Sequence, residues 1–99
     1  DIDHFKAIND QHGHTRGDAV LAGVAECLRR CARQSDTVVR YGGEEFTLVL
    51  PDADVSQALV VAARAHEEIA RARPGGLAVT VSIGAAAALS DDADLYEVP

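Results

Sequence analysis

The sequence contains no long apolar run and few basic residues, and each absence excludes a class of protein. No apolar stretch approaches the roughly 18 residues of a membrane span, and no charged-then-apolar leader opens the chain. We therefore expect neither a membrane span nor a signal peptide. Nine Lys and Arg residues against 16 Asp and Glu residues give a net charge of −7, which argues against broad binding to a nucleic-acid polymer. A nucleotide triphosphate stays possible, because a divalent cation reverses the local charge.

Cysteine is also scarce, with two residues in the chain. Cys27 and Cys31 lie four positions apart, whereas metal knuckles and redox pairs usually use a spacing of three. We therefore interpret them as reduced, small apolar side chains. Nothing in this pattern indicates an oxidising compartment, so we expect a domain that faces the cytosol.

The 99 residues lack repeats, low-complexity tracts and linkers, so we expect one domain over residues 1–99. Two helices are predicted in it. Over residues 15–33 the apolar positions recur at helical intervals, as at Val20, Val24 and Leu28. The second helix opens after Asp54, which forms a capping-box pattern with Gln57, and it ends at Pro74-Gly75-Gly76.

Strand patterns surround these helices. Residues 37–41 and 45–50 flank Gly42-Gly43 and indicate a β-hairpin, and residues 77–88 alternate as a further strand. Residues 1–3 resemble the end of one more strand, while the acidic tail from 90 to 99 has no structural stop. The resulting order is βαββαβ, an α+β fold with an antiparallel sheet and helices on one face.

Carboxylates occur at two places that this topology brings together. Asp1 and Asp3 leave the first strand, and Glu44 and Glu45 leave the hairpin turn. Two carboxylates about 4 Å apart repel by about 4 kcal/mol at an effective dielectric constant near 20. Mg²⁺ with phosphate oxygens is the usual compensation. The alternative is that these acidic residues are only solvated strand ends.

Three segments resemble the signatures of the GGDEF domain family. They are DIDHFKAINDQHGHTRGDAVL at residues 1–21, RYGGEEF at 40–46 and VSIGAA at 81–86. The resemblance implies a palm-like βαββαβ fold of the nucleotidyl-cyclase or ferredoxin-like type. It also implies a diguanylate cyclase, which condenses two GTP molecules into cyclic di-GMP and releases pyrophosphate. Catalysis in this family joins two domains face to face, so a homodimer is expected.

The resemblance also implies a metal site and its chemistry. A Mg²⁺ or Mn²⁺ ion would be held by Asp1, the backbone carbonyl of Ile2 and Glu44. Glu44 would also be the candidate base for the attacking 3′-hydroxyl group. Lys6 would neutralise charge that develops on phosphate.

The same resemblance assigns the nucleotide contacts. Backbone amides near Phe5 and Lys6 would help to cradle phosphates, and Gly42-Gly43 would leave room for the nucleotide. Asn9 and Asp18 would recognise guanine, and His14 would lie beside the bound nucleotide.

Each assignment has a structural alternative. Asp18 would be only an acid in the first turn of a helix, and Asn9 only a turn residue. Lys6 would be a solvated charge, His14 a support for its loop, and Phe5 a core residue.

Arg33 and Asp36 form an R-x-x-D pattern placed before the hairpin. This spacing resembles the family's inhibitory product site, in which the pair engages cyclic di-GMP. The alternative is an ordinary helix end, where arginine is common.

Two further hypotheses remain open. One is a non-catalytic cyclic di-GMP receptor that uses only the Arg33 and Asp36 site, and the other is a structural or dimerising domain. Compared with the family pattern, we expect the chain to be truncated at both ends, with the body of strand 1 and a closing basic helix missing. A sensory or receiver domain is expected upstream in the full-length protein.

Overall fold

The computed structural model describes residues 1–89 and 92–98. Within those residues the chain forms three α-helices and four strands, with a 3₁₀ turn at Pro74–Gly76. The helices are α1 (Phe5–His12), α2 (His14–Cys31) and α3 (Val55–Ala72), and the strands are β1 (Thr37–Gly42), β2 (Glu45–Val49), β3 (Ile83–Leu89) and β4 (Asp92–Val98). None of the described helices is both long enough and apolar enough to cross a membrane.

The start of α3 follows the predicted capping box. The Gln57 backbone N–H donates to Oδ1 of Asp54 at 2.8 Å, and the Asp54 N–H donates to Oε1 of Gln57 at 2.8 Å. These two bonds satisfy backbone donors that a helix start otherwise leaves free. The helix ends before Arg73, which adopts a left-handed conformation, and Pro74 prevents its continuation.

The first helical region differs from its prediction. The single helix predicted over residues 15–33 is α2, which begins at His14 and ends at Cys31. A separate helix, α1, precedes it and was not predicted. Gly13, with φ of +89°, separates the two helices, and His4 at φ +56° precedes α1 without a side-chain cap. The usual N-cap signal is therefore missing from the sequence.

The described strands form two separate two-stranded antiparallel sheets, and the predicted α+β fold is confirmed. Strand β1 pairs with β2 and β3 pairs with β4, while Ile2 and Val81 form an isolated antiparallel bridge. The strand predicted over residues 77–88 is shorter in the structure, because only 83–89 have a ladder partner. That partner, β4, forms within the tail from 90 to 99; residues 90, 91 and 99 lie outside the described residues.

The core lies between α2, α3 and residues 79–81. Its most deeply buried side chains are those of Val20, Val24, Cys27 and Ile69. Ile2 is 3% exposed and joins the same cluster, so the segment that carries Asp1 is anchored by an apolar contact. Burial of such a side chain stabilises the fold by about 1.5–3 kcal/mol.

Both cysteines are free, in agreement with the reduced state expected from the sequence, and both are buried. Burial raises the pKa of both thiols above the ordinary value of 9.0. A raised folded-state pKa gives stability that is complete below the unfolded pKa and is lost as the pH rises through the folded pKa. We predict that the free energy of unfolding falls as the pH rises above the ordinary thiol pKa of 9.0, and that it falls less in a Cys27→Ala/Cys31→Ala variant. Urea unfolding at several pH values measures both slopes, and equal slopes would contradict the prediction.

Candidate active site

Residues 1–3 lie between the β1–β2 hairpin and residues 80–82. The Ile2 N–H donates to the carbonyl of Glu44 at 3.2 Å, while the Ile2–Val81 bridge lies on the other side of the segment. In an extended strand, the N–H and C=O of one residue face the same edge, so the Ile2 carbonyl is also on the hairpin side. The structure therefore brings together Ile2 and Glu44, two of the residues predicted to bind metal.

The neighbouring carboxylates lie on the opposite face from Ile2. Because successive side chains of a strand alternate, burial of the Ile2 side chain places Asp1 and Asp3 toward solvent. Asp3 accepts hydrogen bonds from Oγ of Ser82 at 2.6 Å and Oγ1 of Thr80 at 2.7 Å. These two bonds, that from Ser82 first, lower the pKa of Asp3. Asp3 therefore binds residues 1–3 to residues 80–82. Asp1 is the exposed carboxylate beside Ile2.

The donor set at this junction suits a hard divalent cation. Two carboxylates and one backbone carbonyl, from Asp1, Glu44 and Ile2, are oxygen ligands of the kind that Mg²⁺ and Mn²⁺ prefer. Across the described residues, no three His, Cys, Asp or Glu side chains cluster as a complete metal site. Mg²⁺ is commonly held by one or two carboxylates plus substrate phosphates and water, so an incomplete protein cage fits that ion.

The hairpin turn that carries Glu44 is irregular. The register shifts between Arg40 and Gly42, so one extra residue bulges from β1, and Gly43 has φ of +42°. A β-carbon added at Gly42 or Gly43 would meet no atom of the described chain within 4 Å. The left-handed φ favours glycine at position 43, and open space borders the turn.

Helix α1 carries three of the predicted nucleotide contacts. Phe5 is half-buried and packs against the core, which confirms the core interpretation of that side chain. The Lys6 side chain is 92% exposed, and its Nζ lies 3.4 Å from Oδ2 of Asp10. Asn9 lies inside α1, so the turn interpretation of this residue is wrong.

Asn9 lies where α1 packs on α2. A methyl group at buried Gly17 would overlap Oδ1 of Asn9, so the two helices approach through that glycine. Asp18 is the next residue; it lies beyond the first turn of α2, and its interpretation as a first-turn acid is wrong. Asp18 borders an open groove of about 470 Å³ that Phe46 also lines. His14 is exposed at the start of α2.

The sequence as a whole matches a known protein family. Residues 1–98 match the sequence family described as "Diguanylate cyclase, GGDEF domain". The chain belongs to the GGDEF domain family.

Relatives of this GGDEF domain include named cyclases. It is 47% identical over 87 residues to "Diguanylate cyclase DgcM" of Escherichia coli, which covers 87% of this chain and 21% of that protein. It is 48% identical over 69 residues to "Diguanylate cyclase A" of Treponema denticola, which covers 70% of this chain and 19% of that protein. The chain thus spans about a fifth of the length of these relatives.

The fold of this GGDEF domain has a solved counterpart. The crystal structure of the GGDEF domain of YfiN (TpbB) from Pseudomonas aeruginosa superposes with a TM-score of 0.66 at 43% sequence identity. The match covers 70% of this chain and 44% of that chain.

Arg33 and Asp36 form a closed turn between α2 and β1 of this GGDEF domain. The Arg33 N–H donates to Oδ2 of Asp36 at 2.6 Å, and the Asp36 N–H donates to the Arg33 carbonyl at 2.9 Å. The Asp36 side chain is fully buried, and its Oδ1 has no partner in the described part of the chain. The Arg33 side chain is 60% exposed. Most buried polar atoms in folded proteins have a hydrogen-bond partner, so a buried carboxylate oxygen without one is uncommon.

Sequence reasoning missed two residues that shape the site of this GGDEF domain. Gly17 has no side chain, so Asn9 can pack directly against α2. The Gly-Asp dipeptide at residues 17 and 18 was the available signal in the sequence. Arg40 donates from Nε to the Gly43 carbonyl at 2.9 Å, a contact that depends on the bulge in β1. No spacing rule reveals that contact.

Proposed function

We propose that this chain is the catalytic domain of a diguanylate cyclase that condenses two GTP molecules into cyclic di-GMP. The observation that carries the proposal is the backbone bond between Ile2 and Glu44, which joins two of the three signature segments at one point. Membership of the GGDEF family supports the same reaction.

In the proposed reaction, each of two facing domains holds one GTP molecule. The 3′-hydroxyl oxygen of each GTP attacks the α-phosphorus of the other, and the bond from that phosphorus to the β-phosphate oxygen breaks. Two phosphodiester bonds form, and two pyrophosphates leave. Because the attacking groups come from opposite domains, the reaction requires a homodimer at least transiently.

The residues near the Ile2–Glu44 junction would have different roles at the triphosphate. Asp1, the Ile2 carbonyl and Glu44 would hold Mg²⁺ or Mn²⁺, which supplies positive charge to the phosphates when bound. Glu44 would accept the proton of the 3′-hydroxyl group. Lys6 would approach the phosphates, since its exposed pairing with Asp10 is worth at most about 1 kcal/mol. The α1 start near Phe5 would offer backbone N–H groups.

The groove would receive guanine. Guanine presents N–H donors at N1 and its exocyclic amine, which a carboxylate such as Asp18 accepts, and an acceptor at O6, to which the Asn9 amide donates. Adenine presents the opposite pattern, so these two residues would select GTP. His14 would lie beside the nucleotide, and Gly42-Gly43 would admit it at the hairpin.

The test of this proposal is calorimetric binding of non-hydrolysable GTP and ATP analogues to the intact gene product, with Mg²⁺ and with EDTA. The proposal expects Mg²⁺-dependent binding of the GTP analogue and little binding of the ATP analogue. Binding of cyclic di-GMP without any binding of the GTP analogue would instead favour the receptor hypothesis.

Arg33 and Asp36 would bind the product and inhibit the enzyme. The exposed Arg33 guanidinium, whose Nε lies 3.7 Å from Oδ2 of Asp36, would pair with a phosphate or guanine of cyclic di-GMP. Asp36 would accept a guanine N–H only after a rearrangement of the turn that uncovers its buried carboxylate. We predict that Arg33→Ala raises the cyclic di-GMP concentration for half-inhibition by about tenfold or more.

Rates measured against added cyclic di-GMP check this prediction, with initial rates expected to stay near those of the parent. Arg64→Ala, which removes an exposed arginine from α3, is the matched control. Equal inhibition of the Arg33→Ala variant and the parent would show that Arg33 does not bind the inhibitory product.

A further inference from the structure

We propose that Arg40 is a positioning residue that fixes the hairpin turn carrying Glu44, an inference that rests on the proposed function. Its Nε donates to the carbonyl of Gly43 at 2.9 Å. That carbonyl belongs to the peptide group that joins Gly43 to Glu44. A guanidinium bond to it therefore restrains the backbone immediately before the proposed metal ligand.

The turn requires such a restraint because its glycine backbone can adopt many conformations. Two consecutive glycines give the backbone many accessible conformations, and the bulge between Arg40 and Gly42 removes one pairing from the ladder. No described atom would contact a β-carbon at either Gly42 or Gly43, so packing does not hold them. Hydrogen bonds are what remains to fix the turn.

Two such bonds reach the Gly43–Glu44 unit from different parts of the chain. Arg40 holds the carbonyl of Gly43, and the N–H of Ile2 holds the carbonyl of Glu44 at 3.2 Å. Two successive peptide groups are therefore restrained, one by β1 and one by the segment that carries Asp1. Loss of the Arg40 bond would leave the restraint at Ile2 and the flanking Gly42–Glu45 ladder pair, with the peptide group before Glu44 unrestrained, so the Glu44 carboxylate would sample more positions.

Arg40 also borders the groove beside Asp18 and Arg29, which raises a competing explanation for its importance. In that explanation the positive charge of the guanidinium, and not the bond to the turn, attracts the nucleotide. The two explanations require different variants to retain activity, because one depends on an N–H donor and the other on a charge.

Three substitutions at Arg40 separate donor from charge. Glutamine places its amide nitrogen at the same number of bonds from the backbone as Nε of arginine, so Arg40→Gln keeps the donor and removes the charge. Arg40→Lys keeps the charge and puts a methylene group where the donor was. Arg40→Met has similar length and provides neither.

We expect kcat of the intact gene product to fall about tenfold or more in Arg40→Met and Arg40→Lys, with KM for GTP changed by less than about threefold. Arg40→Gln should stay within about threefold of the parent kcat. Arg71→Met is the control, because this exposed arginine of α3 pairs with Glu68 away from the site. Amide hydrogen exchange of Ile2, whose N–H donates to the Glu44 carbonyl, should quicken in the Met and Lys variants and stay near the parent rate in the Gln variant.

Loss of activity in Arg40→Gln with retention in Arg40→Lys would overturn the positioning role in favour of the charge. Parent-like kcat and exchange in Arg40→Met would also overturn it. A parent protein that forms no cyclic di-GMP would contradict the proposed function, and the exchange measurement would still decide whether Arg40 fixes the turn.

Discussion

Replacing Glu44 with glutamine should lower the rate of cyclic di-GMP formation by the intact gene product at least about 100-fold. The substitution keeps the size of the side chain and removes the carboxylate that both the cation and the 3′-hydroxyl proton would use. The backbone bond from Ile2 to the Glu44 carbonyl does not involve that carboxylate, so thermal unfolding should be nearly unchanged.

Initial rates over a range of Mg²⁺ concentrations, with thermal unfolding measured in parallel, check this prediction. Glu67→Gln removes an exposed carboxylate from α3 and controls for the change in net charge. A Glu44→Gln rate within a few-fold of the parent rate would show that Glu44 is neither a metal ligand nor the base.

Replacing Asp18 with alanine should reduce the preference for GTP over ATP by about 10- to 100-fold. A guanine N–H left without its acceptor costs about 1–3 kcal/mol, whereas the proposed triphosphate contacts would lie at the junction of Ile2 and Glu44 and should persist. Asp18 borders the groove between α2 and the β1–β2 hairpin, so we expect its loss to affect recognition of the base more than binding of the phosphates.

Dissociation constants for the GTP and ATP analogues, measured with the parent, Asp18→Ala and Asp18→Asn, give the preference directly. Asp18→Asn should fall between the other two, because its amide retains one acceptor. An unchanged preference in Asp18→Ala would leave Asp18 as a solvated charge on α2.

Local chemistry in the sequence predicted much of the fold. The Asp54–Gln57 capping box depends on residues three positions apart, and the hairpin around Gly42-Gly43 depends on a turn dipeptide, so both were predictable. The start of α1 was not, because the left-handed His4 has no side-chain cap to signal it. Strand β4 was missed as well, although it directly follows β3 in the sequence and pairs with it, because Asp92 and Asp94 are of a residue type that is depleted in strands.

The candidate site was predictable as a set of positions, through the family signatures, but not as a set of contacts. Asp3 resembled Asp1 in the sequence, and only its bonds to Thr80 and Ser82, far along the chain, separate the two carboxylates. Full burial of the Asp36 side chain likewise follows from tertiary packing. Contacts of this kind join distant segments, and no local pattern encodes them.

The most direct test of the central claim is a product assay on the intact gene product with radiolabelled GTP and Mg²⁺, in which GTP, pyrophosphate and cyclic di-GMP are all quantified. The account predicts one cyclic di-GMP and two pyrophosphates for every two GTP molecules consumed, with EDTA abolishing the reaction. GTP that binds and is recovered unchanged, or that is converted to GDP and phosphate, would contradict it.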